Sequence, residues 1–75
     1  MDKIYELLKR VRPDGDFENS KNFMSDGYLD SYDIVALIAD IEDEFGVLIN
    51  GMDIIPENFV GIEAIRELIE RSPKA

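Results

Sequence analysis

The 75-residue chain contains no cysteine, no histidine and no tryptophan. The absence of cysteine and histidine excludes disulfides, thiolate and imidazole metal ligands, and catalysis by either of these two side chains. Basic residues are also few: the chain has 8 Lys and Arg against 17 Asp and Glu, and its net charge is therefore -9. An acidic chain is repelled by nucleic acid and by anionic membranes, so the natural complement is a basic protein surface. Taken alone, the charge is explained as well by solubility, which is the simpler interpretation.

The sequence also lacks a long apolar run, an internal repeat and an interdomain linker. No segment approaches the roughly 20 apolar residues of a membrane span, and the first residues have no signal-peptide core. The hydrophobic fraction of 45% is normal for a globular chain. We therefore expect residues 1–75 to form a single domain, monomeric and cytoplasmic.

Apolar residues recur at helical spacing in three segments, residues 2–12, 31–45 and 62–71. Pro56 suits the first turn of a fourth, short helix that ends near Phe59. The pattern predicts an all-α fold, a small four-helix bundle with three main helices, one short helix and a long loop after the first helix. Residues 47–49 have a strand-like composition but no obvious pairing partner.

The second helix has start and stop signals at both ends. Asp30 is the expected N-cap, because Asp33 then falls at the third helical position and completes a capping box. Leu29 and Ile34 are spaced as a hydrophobic staple across this cap. Gly46 supplies the left-handed residue that ends the helix.

The same helix carries apolar residues on two faces. One face is predicted to enter the core, and it carries Ile34, Leu37, Ile38 and Ile41. The opposite face carries Tyr32, Val35 and Ala39, and it is bordered by four acids: Asp33, Asp40, Glu42 and Asp43. An exposed apolar strip with an acidic rim is typical of a transient docking surface, whereas packing under the long loop is the alternative.

Ser31 lies at the junction of loop and helix and allows more than one interpretation. With Asp30 as the cap, the Ser31 hydroxyl is free and faces solvent at a helix N-terminus, where an attached phosphate is favoured. Alternatively, Ser31 is itself the N-cap, which is the commoner role of such a serine.

Metal binding and hydrolysis are poor interpretations of the same acidic segment. Counted from Asp26, a calcium loop of the EF-hand type puts Tyr28 and Leu37 at ligand places and Ser31 where glycine is required. Ser31 also has no histidine to activate it and does not lie in a nucleophile elbow. We therefore predict neither a metal site nor an enzyme.

With these residues in view, the chain resembles the acyl carrier protein family, including the peptidyl and aminoacyl carrier domains. The resemblance covers nearly the whole chain and rests on these residues: Leu29, Asp30, Ser31, Asp33, Val35, Leu37, Glu42, Glu44, Phe45, Ile49, Phe59 and residues 62–65. Tyr32 replaces the leucine that is usual in members serving fatty-acid synthesis. Residues 51–65 are more similar to stand-alone carriers of amino acids or specialised acyl groups, so the cargo stays open.

The resemblance implies that Ser31 is esterified with 4′-phosphopantetheine, taken from coenzyme A by a separate phosphopantetheinyl transferase. An acyl or aminoacyl group loaded by a ligase is then carried as a thioester to synthase or transferase enzymes of fatty-acid, polyketide or related biosynthesis. Asp30 is implied to present Ser31 to the transferase near a magnesium ion. The second helix is implied to dock on basic surfaces of these enzymes. Its core-facing residues are also implied candidates for lining an acyl pocket, together with Ile62 of the last helix: Ile34, Leu37, Ile38 and Ile41. Residues at this helical spacing more often belong to a simple core, which is the alternative.

A second hypothesis from a different class is an acidic helical adaptor that is never modified. It binds a basic partner through Tyr32, Val35 and Ala39. Both hypotheses predict binding that weakens with salt, so only modification of Ser31 separates them.

Overall fold

The computed structural model describes residues 3–75, in which three α-helices and two short 3₁₀ segments follow one another along the chain. The α-helices are α1 (Lys3–Val11), α2 (Ser31–Phe45) and α3 (Ile62–Arg71), and the 3₁₀ segments are Gly51–Asp53 and Pro56–Phe59. This confirms the predicted all-α fold of acyl-carrier type. No helix in the described part of the chain is long and apolar enough to cross a membrane.

Helix α1 buries a stripe made of Ile4, Leu7 and Leu8. It ends at Val11, one residue before the predicted end, although the Arg12 amide still donates to the Leu8 carbonyl at 2.8 Å. Pro13 follows and cannot continue the helix, because proline has no amide hydrogen to donate. The predicted first residue, Asp2, lies outside the described residues.

The core lies where the three helices meet. Leu37 and Ile41 of α2 pack there with Ile65 and Leu68 of α3, and none of these four side chains is exposed. Such residues are buried because removing apolar surface from water is the main favourable term in folding.

The loop between α1 and α2 is long but is held by two buried aromatic rings. Phe17 and Phe23 pack edge to face with ring centroids 5.0 Å apart. The Phe23 amide donates to the Val60 carbonyl at 2.8 Å, which ties the loop to the start of α3. Met24, from the same loop, is half-buried against the core. These contacts hold the loop against the core up to the start of α2.

The segment after α2 pairs with the C-terminal residues. Val47 forms an isolated antiparallel bridge with Lys74, the Leu48 amide donates to the Pro73 carbonyl at 2.9 Å, and the Ala75 amide donates to Gly46 at 2.9 Å. This explains the strand-like composition of residues 47–49, whose partner lies about 25 residues further along the chain and gives no local signal.

Candidate functional site

The start of α2 forms the capping box that the sequence predicts. Asp30 has an extended backbone, and its Oδ1 accepts from the Asp33 amide at 2.9 Å. Reciprocally, Asp33 Oδ2 accepts from the Asp30 amide at 3.2 Å. Leu29 and Ile34, the predicted staple residues, are both buried. The conformation around Ser31 is thus fixed on both sides by hydrogen bonds and by apolar packing.

Arg12 adds a contact to this cap that the sequence did not predict. Its Nη1 donates to Asp33 Oδ2 at 2.8 Å and lies 3.4 Å from the Tyr28 carbonyl oxygen. Nε also lies 3.4 Å from a carboxylate oxygen of Asp14, whose side chain is largely exposed. The guanidinium therefore joins the end of α1 to the residues that flank Ser31. A single basic residue just beyond a helix carries no pattern from which this partner could have been found.

The electrostatics of the cap follow from these contacts. The hydrogen bond from the Asp33 amide lowers the pKa of Asp30 below its ordinary value, because it stabilises the carboxylate form. The hydrogen bond to Asp33 raises the pKa of Arg12, with the attraction of the Asp33 and Asp14 charges adding to it. Asp30 is therefore a carboxylate, and Arg12 a cation, throughout the physiological range of pH.

Ser31 is the first residue of α2, and its side chain is exposed. Asp30 performs the capping, so the Ser31 hydroxyl makes no hydrogen bond to any other residue that the structure describes. By contrast, the Ser20 hydroxyl donates to Asp26 at 2.6 Å and the Ser72 hydroxyl donates to the Leu68 carbonyl at 2.6 Å. A free hydroxyl at a helix N-terminus is open to reaction and is well placed to carry a phosphate.

The outer face of α2 is open to solvent. Tyr32 is 88% exposed and Val35 67% exposed, and Ala39 is exposed as well. The long loop does not cover this face, so the alternative in which these residues pack beneath it does not hold. Their part in partner recognition stays a prediction.

The four predicted rim acids differ in whether their carboxylates are bound within the protein. Asp33 is bonded to Arg12, and Glu42 Oε2 accepts from the Ile49 amide at 2.9 Å, so both carboxylates serve the fold. Asp40 and Asp43 form no ion pair or hydrogen bond through their side chains within residues 3–75 and remain available to a partner. Asp40 is half-buried, and Asp43 is exposed.

The core-facing side of α2 is tightly packed. Ile34, Leu37 and Ile41 are buried, whereas Ile38 and Ile62 are half-buried at the edge of the core. Residues 3–75 enclose no detectable pocket, and they contain no group of three or more carboxylates that could hold a metal ion. Because sheltering an acyl chain among these isoleucines requires the helices to move apart, the pocket role stays a prediction.

Comparison with known families agrees with this site. The family described as phosphopantetheine attachment site matches the chain over residues 2–71. No curated protein and no solved structure gives a significant match. Because the matched range spans nearly the whole sequence, this protein belongs to the phosphopantetheine attachment site family, whose members are non-catalytic carriers that hold 4′-phosphopantetheine covalently on a serine.

Proposed function

We propose that Ser31 is the attachment serine and that the protein carries acyl or aminoacyl groups between enzymes of fatty-acid, polyketide or related biosynthesis. The observation that carries this assignment is the exposed, unbonded hydroxyl of Ser31 at the first position of α2. In the attachment reaction the Ser31 oxygen displaces adenosine 3′,5′-bisphosphate from coenzyme A. A phosphodiester forms, and the hydroxyl proton passes to a base of the transferase.

The residues around Ser31 suit the attached group. The N-terminal end of α2 carries the positive end of the helix dipole, which favours the phosphodiester charge. Asp30 remains a carboxylate beside Ser31 and is available to the magnesium ion that accompanies coenzyme A in the transferase. When bound, the prosthetic group supplies a terminal thiol on which the cargo is held as a thioester.

The outer face of α2 is the proposed docking surface. Tyr32 and Val35, with Ala39 one turn further along, provide a small apolar centre close to Ser31. Asp40 and Asp43 provide the free negative charge, and the net charge of -9 extends the attraction. A small contact area with strong charge steering gives fast association and modest affinity, which a carrier that visits several enzymes requires.

We also propose that the protein is cytoplasmic. Coenzyme A, which supplies the prosthetic group, is present in that compartment, and the enzymes that load the carrier act there. The loading ligase, the synthases and the transferase are the proposed partners, and one copy of the chain suffices for each encounter.

The test is the intact mass of the protein after incubation with coenzyme A, magnesium and a broad-specificity phosphopantetheinyl transferase. We expect one phosphopantetheine adduct on the wild type and none on Ser31→Ala. Ser25→Ala is the matched control, because Ser25 is an exposed serine in the loop before α2, and this variant should be modified normally. A folded wild type without an adduct contradicts the assignment and favours the unmodified adaptor. An adduct that persists in Ser31→Ala contradicts Ser31 as the attachment residue and means that another residue is modified.

A further inference from the structure

Arg12 lies outside α2 and yet makes the shortest side-chain contact to its capping box. Arg12 Nη1 and the Asp30 amide share one oxygen of Asp33, at 2.8 Å and 3.2 Å. The other half of the box joins Asp30 Oδ1 to the Asp33 amide. Only 16% of the Asp33 side chain and 33% of the Arg12 side chain are exposed, so this ion pair is partly withdrawn from water. Partial burial strengthens a charged hydrogen bond and weakens its screening by salt.

We propose that Arg12 is a positioning residue for the modification of Ser31. Its guanidinium bridges the Asp33 carboxylate and the Tyr28 carbonyl, and so it holds the residues before α2 and the first turn of α2 in the conformation that the transferase recognises. The inference deepens the proposed function and rests on Ser31 being the attachment serine.

The bridge restrains two parts of the chain that approach Ser31 from opposite sides. Tyr28 precedes the cap, and Asp33 follows Ser31 by two residues within the first turn. First turns fray readily, because their amides lack partners in the preceding turn. Without the bridge, a larger fraction of molecules has an open first turn, and the concentration of the form that the transferase binds is reduced by that fraction. The loss therefore appears in KM rather than in kcat.

A simple charge effect has the opposite sign. Removing a cation makes an acidic protein more negative and its attraction to a basic transferase stronger, so it should speed encounter. Arg10 provides the matched control, because it lies on α1 two residues earlier, is exposed, and its side chain forms no hydrogen bond or ion pair within residues 3–75. Arg10→Ala and Arg12→Ala change the net charge equally, but only Arg12→Ala removes the bridge.

The experiment measures steady-state transfer of phosphopantetheine from coenzyme A to wild type, Arg10→Ala, Arg12→Ala and Arg12→Lys. We expect Arg12→Ala to raise KM for the carrier about 2-fold, the factor that corresponds to half of the molecules having an open first turn, with kcat unchanged. Arg10→Ala should leave KM unchanged or lower it. Arg12→Lys should recover part of the loss, because an ammonium keeps the charge but lacks the planar fork of guanidinium donors.

Two further measurements show that Arg12 acts through Asp33. In an Asp33→Asn background, Arg12→Ala should have little additional effect on KM, since the charge it acts on is gone. Hydrogen exchange of the Asp33 and Ile34 amides should be faster in Arg12→Ala and normal in Arg10→Ala. Normal exchange, an unchanged KM, or a KM that falls as in Arg10→Ala each overturns the inference while leaving Ser31 as the modified residue. A wild type that takes no phosphopantetheine overturns the proposed function and, with it, the positioning role.

Discussion

Truncation to alanine should lower the free energy of unfolding strongly at Leu37 of α2 and hardly at all at Val35, two residues earlier on the same helix. Leu37 is fully buried, and replacing it with alanine removes contacts on all sides and leaves a cavity. Such a change costs about 2–5 kcal/mol, a large share of the roughly 4–11 kcal/mol of stability expected for a domain of this size. A central cost of about 3 kcal/mol lowers Tm by roughly 12–24 °C. Val35→Ala is the matched variant on the opposite face.

The expected cost of Val35→Ala follows from its exposure. With 67% of the residue exposed, only about a third of the surface of the two lost methyl groups is buried. At roughly 0.8 kcal/mol for each fully buried carbon, the loss is about 0.5 kcal/mol. Alanine favours the helix over valine by a similar amount, so the free energy of unfolding should hardly change. The docking surface, by contrast, loses part of its apolar centre.

Thermal melts followed by far-ultraviolet circular dichroism, together with transfer kinetics on the same samples, separate the two roles. Leu37→Ala should melt early, yet it should still be modified at temperatures where it is folded. Val35→Ala should melt with the wild type and be processed more slowly by partner enzymes. If Val35→Ala melts as early as Leu37→Ala, the outer face of α2 is part of the core, and the reasoning about its two faces is refuted.

Three further changes test other parts of the fold. Asp30→Asn keeps the capping oxygen but removes the charge. Because folding lowers the pKa of Asp30, the wild type should be more stable than this variant above pH 3.8, and the difference should shrink as the pH falls below that value. Denaturant unfolding across the acid range measures it. Gly46→Ala places a side chain at φ 64° and should cost about 1–2 kcal/mol, seen as a lower Tm, whereas Gly51→Ala, which meets open space, should not. Changing both Asp40 and Asp43 to asparagine removes two charges and should slow association with a basic partner at low salt, measured by stopped flow. Glu18→Gln removes one charge from an exposed loop residue, and an effect about half as large from this variant would show that only total charge matters.

Features specified by neighbouring residues were predictable from the sequence. Helix α2 begins and ends where Asp30 and Gly46 indicate, and the 3₁₀ segment at Pro56–Phe59 lies where Pro56 predicts a short helix. These signals are local, because a cap, a left-handed glycine or a proline acts within one turn. The other 3₁₀ segment, Gly51–Asp53, also has a local signal, because its Asn50 cap is followed by glycine, a pair that favours a turn.

Contacts between distant residues were not predictable in the same way. Arg12 meets Asp33 21 positions along the chain, and nothing near either residue specifies the other. Glu42 was expected at the rim of the docking surface because helical spacing places it there. Its carboxylate instead accepts the Ile49 amide, since the chain turns back after Gly46 and brings that donor within reach. Periodicity gives the direction of a side chain, but only the folded chain decides which group meets it.

Helix α2 is held at both ends by groups outside its own backbone. At its first turn, Arg12 donates a hydrogen bond to Asp33. Near its last turn, Glu44 forms an ion pair with Lys3 at 3.0 Å, and Glu42 accepts a hydrogen bond from the Ile49 amide. A surface built on such a helix is already ordered before a partner arrives, so association loses little conformational entropy. In the proposed docking role, discrimination among partners then depends on a few outward side chains rather than on rearrangement of the backbone. If the proposal is correct, exchanging Tyr32 and Val35 for the residues of another carrier should transfer that carrier's partner preference to this protein.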